Sequence, residues 1–179
     1  MRIFRNGYDI ITIGLDLTKI ETVEQLAKIN FSKPTVFTTG CFDLYHAGHV
    51  HFLYEASCFG ARLVVGLDTD ESIKKLKGTD RPVYPFGERL AILLANKYVD
   101  YVIEGCTEEW PQIMQALNVD VFVKGTEYKD KPLELSQYAK QTQYVEMFGD
   151  RHSSHIIENL RIINGHYGPR PKKIPKETD

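Results

Sequence analysis

Short runs of β-branched and aromatic residues alternate with longer helical patterns along most of this chain, and that alternation is what most restricts its fold. Residues 35–39 (TVFTT), 63–67 (LVVGL), 99–103 (VDYVI), 119–123 (VDVFV) and 144–148 (YVEMF) read as strands. Helical patterns fall at 48–59, 85–97, 108–117, 132–140 and 153–163. The 85–97 segment is the clearest of them. Pro85 suits a first-turn position, and Phe86, Leu90, Leu93, Leu94 and Lys97 share one face of a 3.6-residue period. Strands separated by helices imply right-handed crossovers and a mainly parallel sheet covered on both faces. The expected fold is α/β: a doubly wound, mainly parallel five-stranded Rossmann-like sheet, with ligands at the carboxyl ends of its strands.

The two ends fall outside this pattern. Residues 1–33 form an N-terminal extension that offers a strand at 8–13 and a helix at 22–29. Residues 165–179 (GHYGPRPKKIPKETD) hold little to bury and read as a flexible tail, leaving 34–164 as the single folded domain. Charge then limits the partners. With 22 Lys and Arg against 24 Asp and Glu, the net charge is −2, so no global basic field exists to hold a nucleic acid. The basic stretch at 169–176 (PRPKKIPK) lacks the interleaved aromatics of a single-strand binder. Any anionic ligand must be held by a few placed groups. Cys41, Cys58 and Cys106 are odd in number and lack CxxC spacing, which indicates neither a disulfide framework nor a zinc knuckle. The N-terminus lacks the apolar core of a signal peptide, and no apolar run reaches the ~18 residues a membrane span needs. A cytoplasmic protein with no membrane partner is expected.

The densest chemical feature is TTGCFDLYHAGHV, residues 38–50, running from the end of the first core strand into a helix. Gly40 lets backbone N–H groups turn toward a ligand, and Gly48 lets the chain enter the helix closely. His46 and His49 then lie beside a helix N-terminus, where the macrodipole favours an anion. Two imidazoles at that place can donate hydrogen bonds to one phosphate group. The alternatives are a structural histidine pair and a zinc site built from His46, His49 and His51.

GCFDLYHAGH resembles the signature of the HxGH nucleotidyltransferase superfamily, and its G-C-F-D form is similar to that of the cytidylyltransferase-like group. Three further segments resemble that group in the same order. They are KKLKGTDRPV with FGER (74–83 and 86–89), VKGTEY (123–128) and DRHSSHII (150–157). The branches most similar to the chain are the bacterial heptose-phosphate adenylyltransferases and the glycerol-3-phosphate cytidylyltransferases. The resemblance implies a reaction in which the phosphate of an acceptor attacks the α-phosphorus of a nucleoside triphosphate and pyrophosphate leaves.

It also implies roles for individual residues. His46, His49 and Lys77 would be catalytic, Lys77 as a mobile cation on a flexible loop that closes over the triphosphate. Thr39, Gly40, Cys41, Phe42, Asp43 and Gly48 would contact the nucleotide, Asp43 also orienting a metal-bound water or a histidine. Lys124, Gly125 and Glu127 would read the base or ribose, though Lys124 also suits a plain strand-end charge. Arg151, Ser153 and Ser154 would hold the β/γ phosphates; His155 and His152 depart from the family's pattern there, and the two serines also suit helix N-capping. Arg81 and Arg89 have a structural reading, as partners of nearby carboxylates. Mg²⁺ is the expected cofactor, carried by phosphates and water with no protein side chain as metal ligand.

The substrates implied are a nucleoside triphosphate and a phosphorylated small-molecule acceptor, and the assembly implied is a homodimer. LKGTDRPV, GERLAILLANKYVDYVI and VKGTEY favour the adenylyl branch, with a heptose 1-phosphate type of acceptor. Cytidylyl transfer to glycerol 3-phosphate or another small phosphoalcohol is the alternative. A nucleotide-binding protein without catalysis is the alternative of another class.

Overall fold

The computed structural model of the chain describes residues 3–5, 27–28, 33–146, 148 and 156–157. Its elements in chain order are β1 (Ile3–Arg5), β2 (Thr35–Gly40), α1 (Ala47–Ser57), β3 (Arg62–Asp68), α2 (Asp70–Lys77), α3 (Phe86–Leu94), β4 (Tyr101–Gly105), α4 (Trp110–Leu117), β5 (Val121–Gly125) and β6 (Gln141–Val145). Two 3₁₀ turns, Thr126–Tyr128 and Glu134–Tyr138, lie between β5 and β6.

The strands form one sheet in the order β1-β4-β3-β2-β5-β6. The five strands from β2 to β6 pair in parallel, as the strand–helix alternation predicts. A sixth strand, β1, adds antiparallel to β4 at one edge, with Ile3 opposite Ile103. The expected N-terminal strand at 8–13 lies outside the described residues, as do most of the expected helix at 22–29 and all of the tail at 165–179. Of the expected helix at 153–163, only 156–157 are described, and both are helical.

Alternation along each strand divides the core in two. Val36, Leu63, Val65, Leu67, Val102, Val121 and Val123 face Phe52, Leu53 and Ala56 of α1 and Leu93 of α3. Their neighbours Phe37, Val64, Ile103 and Phe122 face Trp110, Ile113, Met114 and Leu117 of α4. In β2 the switch between faces occurs from Val36 to Phe37, both fully buried. A one-residue slip of register would exchange the two cores, so the pairing is fixed by packing. Among the described residues, no helix is long and apolar enough to cross a membrane.

Three local expectations are corrected. Residues 132–140 do not form an α-helix. Leu135, Tyr138 and Ala139 keep helical spacing, but Leu133 falls off their face, and a 3₁₀ turn over Glu134–Tyr138 lets all four pack on the α4 core. The last strand runs over Gln141–Val145, not 144–148, and Phe148 is 62% exposed. Lys77 is the final residue of α2 and not part of a loop. Thr69 caps that helix by accepting from the Ser72 amide at 3.2 Å. Asp70 and Glu71 occupy its first turn and Lys74, Lys75 and Lys77 its last, which suits the macrodipole. Gly78, at φ +97°, ends it in a conformation that side-chain-bearing residues rarely adopt.

Candidate active site

A cleft of about 490 Å³ opens at the carboxyl ends of β2, β3 and β5. It gathers Thr39, Gly40, Cys41, Phe42, His46, His49, Lys77, Lys124, Gly125 and Glu127, all of them expected there from the sequence. Between β2 and α1 the chain makes a tight excursion in which Phe42 and Leu44 take positive φ, at 45° and 48°. His46 then serves as the N-cap of α1 in extended backbone, at φ −142°.

The two histidines lock each other and the helix end. His46 Nδ1 accepts from the Gly48 amide at 3.1 Å, and His49 Nδ1 accepts from the His46 amide at 3.3 Å. A ring nitrogen that accepts carries no proton, so in the neutral rings the N–H lies on Nε2 of both. The ring centroids are 4.0 Å apart, and His49 is further held against Tyr45 and Phe42 at 5.3 and 5.4 Å. The capping bonds fix a tautomer in which both side chains are Nε2–H donors at the rim of an anion-favouring helix terminus. The zinc alternative has no site: His51 packs on Phe148 at 5.5 Å. Among the described residues no group of three or more His, Cys, Asp or Glu is placed to hold a metal ion.

Asp43 and Gly48 shape the cleft without lining it. The Asp43 side chain is fully buried. Its Oδ1 accepts from the Leu44 and Tyr84 amides, both at 3.0 Å, and its Oδ2 from the Val83 amide at 3.0 Å and Arg81 Nε at 2.8 Å. Burial alone would raise its pKa, but the Tyr84 and Val83 amides and the Arg81 charge outweigh it and hold the carboxyl below its usual value. These four bonds to the chain itself make the carboxylate a tether between the 81–84 loop and the signature. Gly48, buried in the first turn of α1, gives its amide to His46.

Lys77 reaches into the cleft from the end of α2, where Nζ lies 2.9 Å from Cys41 Sγ. Across from it, Lys124 Nζ donates to the Thr39 carbonyl and hydroxyl, both at 2.7 Å, between the rings of Phe122 and Tyr128. Desolvation pulls the Lys124 pKa down to about 8, against the raising influence of Asp68, Glu127 and Cys41. Lys124 is therefore bonded to the carboxyl end of β2, which excludes a plain solvated strand-end charge.

Sequence reasoning missed Asp68, Trp110 and Thr107, which also line the cleft, together with Tyr128 of the VKGTEY segment. Asp68 is the last residue of β3, and a residue at a strand's carboxyl end in such a sheet is a ligand candidate by position alone. Trp110 Nε1 donates to Asp68 Oδ1 at 3.2 Å. The indole lies over Gly66 and Gly105, where a Cβ would come within 2.9 and 2.7 Å of it. Desolvation raises the Asp68 pKa, with Trp110, Lys124, Lys77 and Arg89 acting the other way. Arg151, Ser153 and Ser154 lie outside the described residues.

A family model described as cytidylyltransferase-like matches residues 37–162. The bifunctional protein HldE of Helicobacter pylori is 38% identical over 143 residues, which cover 80% of this chain and 31% of that protein. The HldE of Campylobacter curvus is 36% identical over 146 residues, with the same 80% and 31%. The chain thus spans about a third of the length of the curated relatives it matches. Among solved structures, a lipopolysaccharide core biosynthesis protein from Thermoplasma volcanium superposes with a TM-score of 0.56 at 25% identity, covering 64% of this chain and 98% of that one. A protein of unknown function from Archaeoglobus fulgidus, at 16% identity and a TM-score of 0.50, shares the fold.

Proposed function

Because the chain belongs to the cytidylyltransferase-like family, we propose that it is a nucleotidyltransferase that moves AMP from ATP to a sugar phosphate of the heptose 1-phosphate type, releasing pyrophosphate. The observation that carries the reading is the His46–His49 pair. Two backbone-locked imidazoles, both protonated on Nε2, stand at the N-terminus of α1 on the rim of a cleft that also holds two lysines. The HldE relatives and the likeness to a lipopolysaccharide core biosynthesis protein support a sugar phosphate as acceptor.

In the reaction, an oxygen of the acceptor phosphate forms a bond to the α-phosphorus while the bond from that phosphorus to the β-phosphate oxygen breaks, and pyrophosphate departs in line. The acceptor phosphate is already ionised and nucleophilic, so the chain has no proton to remove. Its work is positioning and charge stabilisation. His46 and His49 donate to the α- and β-phosphate oxygens, on which negative charge builds. Lys77 adds a positive charge from the α2 end of the cleft. Lys124 holds the Thr39 end of β2 and adds a second charge next to Gly125 and Glu127, which face the base and ribose. Arg151, Ser153 and Ser154 complete the β/γ-phosphate contacts. Mg²⁺, if bound, would be held by triphosphate oxygens and water and would neutralise part of the charge on the phosphates. A soluble cytoplasmic homodimer without nucleic-acid or membrane partners completes the reading.

Pyrophosphate release tests it, with ATP, CTP, GTP and UTP each offered with heptose 1-phosphate and with glycerol 3-phosphate in the presence of Mg²⁺. Release with ATP and the sugar phosphate is expected. Release with CTP and glycerol 3-phosphate alone would move the assignment to the cytidylyl branch. Nucleotide binding without release in any combination would leave a binding protein.

A further inference from the structure

The mechanism above leaves unused the one aspartate that lines the cleft among the described residues, Asp68. Asp68 is an acid placed among phosphate-binding cations, where a carboxylate and a phosphate repel each other, which disfavours a phosphate as the part of the substrate in direct contact with it. Trp110 Nε1 occupies Oδ1, and among the described residues Oδ2 takes no hydrogen bond. The carboxylate is rigidly set. Its backbone carbonyl accepts from the fully buried Arg89 at 2.9 Å, and its indole partner is fitted over Gly66 and Gly105. A fixed acceptor facing a substrate cleft suits a hydrogen-bond donor on the ligand, and the neutral donors of a sugar phosphate are its hydroxyls.

Topology says which substrate supplies that hydroxyl. In the sheet β2 lies between β3 and β5, with the histidine helix following β2. Lys124, Gly125 and Glu127, which face the nucleotide in the proposed reading, stand on the β5 side. Asp68 stands on the other, at the end of β3, with Thr107 and Trp110 from the segment after β4. With the transferring phosphate at the histidines, the β3 flank faces the acceptor.

We infer that Asp68 reads the acceptor, accepting a hydrogen bond at Oδ2 from a hydroxyl of its sugar, so that the enzyme takes a polyhydroxylated phosphate and discriminates against deoxygenated ones. The inference rests on the nucleotidyltransferase reading and adds to it the chemistry of the acceptor subsite. Desolvation of Asp68 agrees, because a partly dehydrated carboxylate gains more from a ligand hydroxyl than an exposed one does.

The test compares wild type, Asp68→Ala and Asp68→Asn on heptose 1-phosphate and its monodeoxy forms, with ATP and 3′-deoxy-ATP as donors. Asp68→Asn keeps an oxygen for Trp110 and replaces only the other, so it separates the contact from any packing defect. In wild type, one monodeoxy acceptor should lose tenfold or more in kcat/KM, the usual worth of a hydrogen bond to a charged group. In Asp68→Ala that penalty should vanish, with KM for heptose 1-phosphate raised tenfold or more and KM for ATP within twofold; in Asp68→Asn, whose amide can still donate to the hydroxyl oxygen, it should shrink. A penalty undiminished in Asp68→Ala overturns the inference. So does a loss seen with ATP and abolished by 3′-deoxy-ATP, which would give the hydroxyl to the ribose. A shifted Mg²⁺ dependence without coupling to a hydroxyl would make Asp68 a metal ligand and also overturn it. If wild type releases pyrophosphate with no pair of substrates, the functional reading fails by itself. Calorimetric titration with heptose 1-phosphate then decides on Asp68, and equal affinity in wild type and Asp68→Ala would refute its role.

Discussion

Arg89 Nη1 donates to the backbone carbonyl of Cys41 at 2.7 Å, joining a helix on one side of the sheet to the turn that carries the histidines. The same guanidinium donates to the Tyr84 and Asp68 carbonyls at 3.0 and 2.9 Å and to Asp70 Oδ1 at 2.6 Å, with no exposed surface. One planar fork thereby ties together the carboxyl ends of β2 and β3, the start of α2 and the approach to α3. A lysine has one nitrogen and cannot span them. Arg89→Lys should lower stability by about 2 kcal/mol or more, as buried carbonyls lose their donors, and lower kcat as well. Urea unfolding with an unchanged m-value checks the first part, and a variant as stable as wild type would contradict it.

Asp43 and Arg81 form the second such tie, at 2.8 Å with side-chain exposures of 0% and 11%. Removing one member of a buried pair leaves the other uncompensated, so Asp43→Ala should cost about 3–5 kcal/mol. The pH dependence follows in sign. The folded carboxyl titrates below its unfolded value, so its contribution is complete above the unfolded pKa of about 3.9 and is lost as pH falls through the folded one. The stability gap between wild type and Asp43→Asn should therefore be constant near neutrality and shrink below about pH 4. A gap unchanged down to the acid transition would show that the charge is not what holds the loop.

Lys124 titrates in the opposite range. Its folded pKa, about 8, lies below the ordinary lysine value, so the cost of burying its charge is complete below about 8. That cost is relieved as pH rises toward the unfolded pKa of about 10.4, where folding stability gains from this group. Function should move the other way, because the charge beside the nucleotide disappears. The kcat/KM for the triphosphate should fall above about pH 8, since that ratio reports groups of the free enzyme. Lys124→Arg, which stays charged, should lack this alkaline limb whatever its absolute rate. An identical limb in the variant would assign the titration elsewhere.

Lys77 stands at a helix end, so its reach is set by α2 and by one flexible side chain. Lys77→Ala should raise KM for the triphosphate, lower kcat, or both, while thermal unfolding stays within about 1 kcal/mol of wild type, as for other exposed changes. Steady-state kinetics with both constants unchanged would remove it from the mechanism.

The sheet was legible because each inner strand is a run of β-branched residues buried on both faces, as in TVFTT and LVVGL. β6 was misplaced because it is an edge strand that opens with Gln141, Thr142 and Gln143 and buries only Val145. α2 escaped because DESIKKLK buries only Ser72 and Ile73, too little to mark an apolar face. In the site, the motif residues were legible through their order and spacing. Asp43 was legible by position and not by role, since nothing in GCFDLYHAGH shows that Arg81 and two amides from a distant loop will bind its carboxylate. Asp68 and Trp110 were missed because they meet across 42 residues, and only the packing of α4 on β3 and β4 brings them together.

The central claim is that the locked histidine pair stabilises charge on the transferring phosphate, and pyrophosphate release by His49→Ala tests it most directly. The substitution removes one Nε2–H donor and one capping acceptor, the latter worth about 1 kcal/mol of stability. At saturating ATP and heptose 1-phosphate, kcat should fall by roughly 10² or more in protein that remains folded, the usual loss for one donor to a developing oxyanion. Near wild-type turnover in folded His49→Ala would contradict the account.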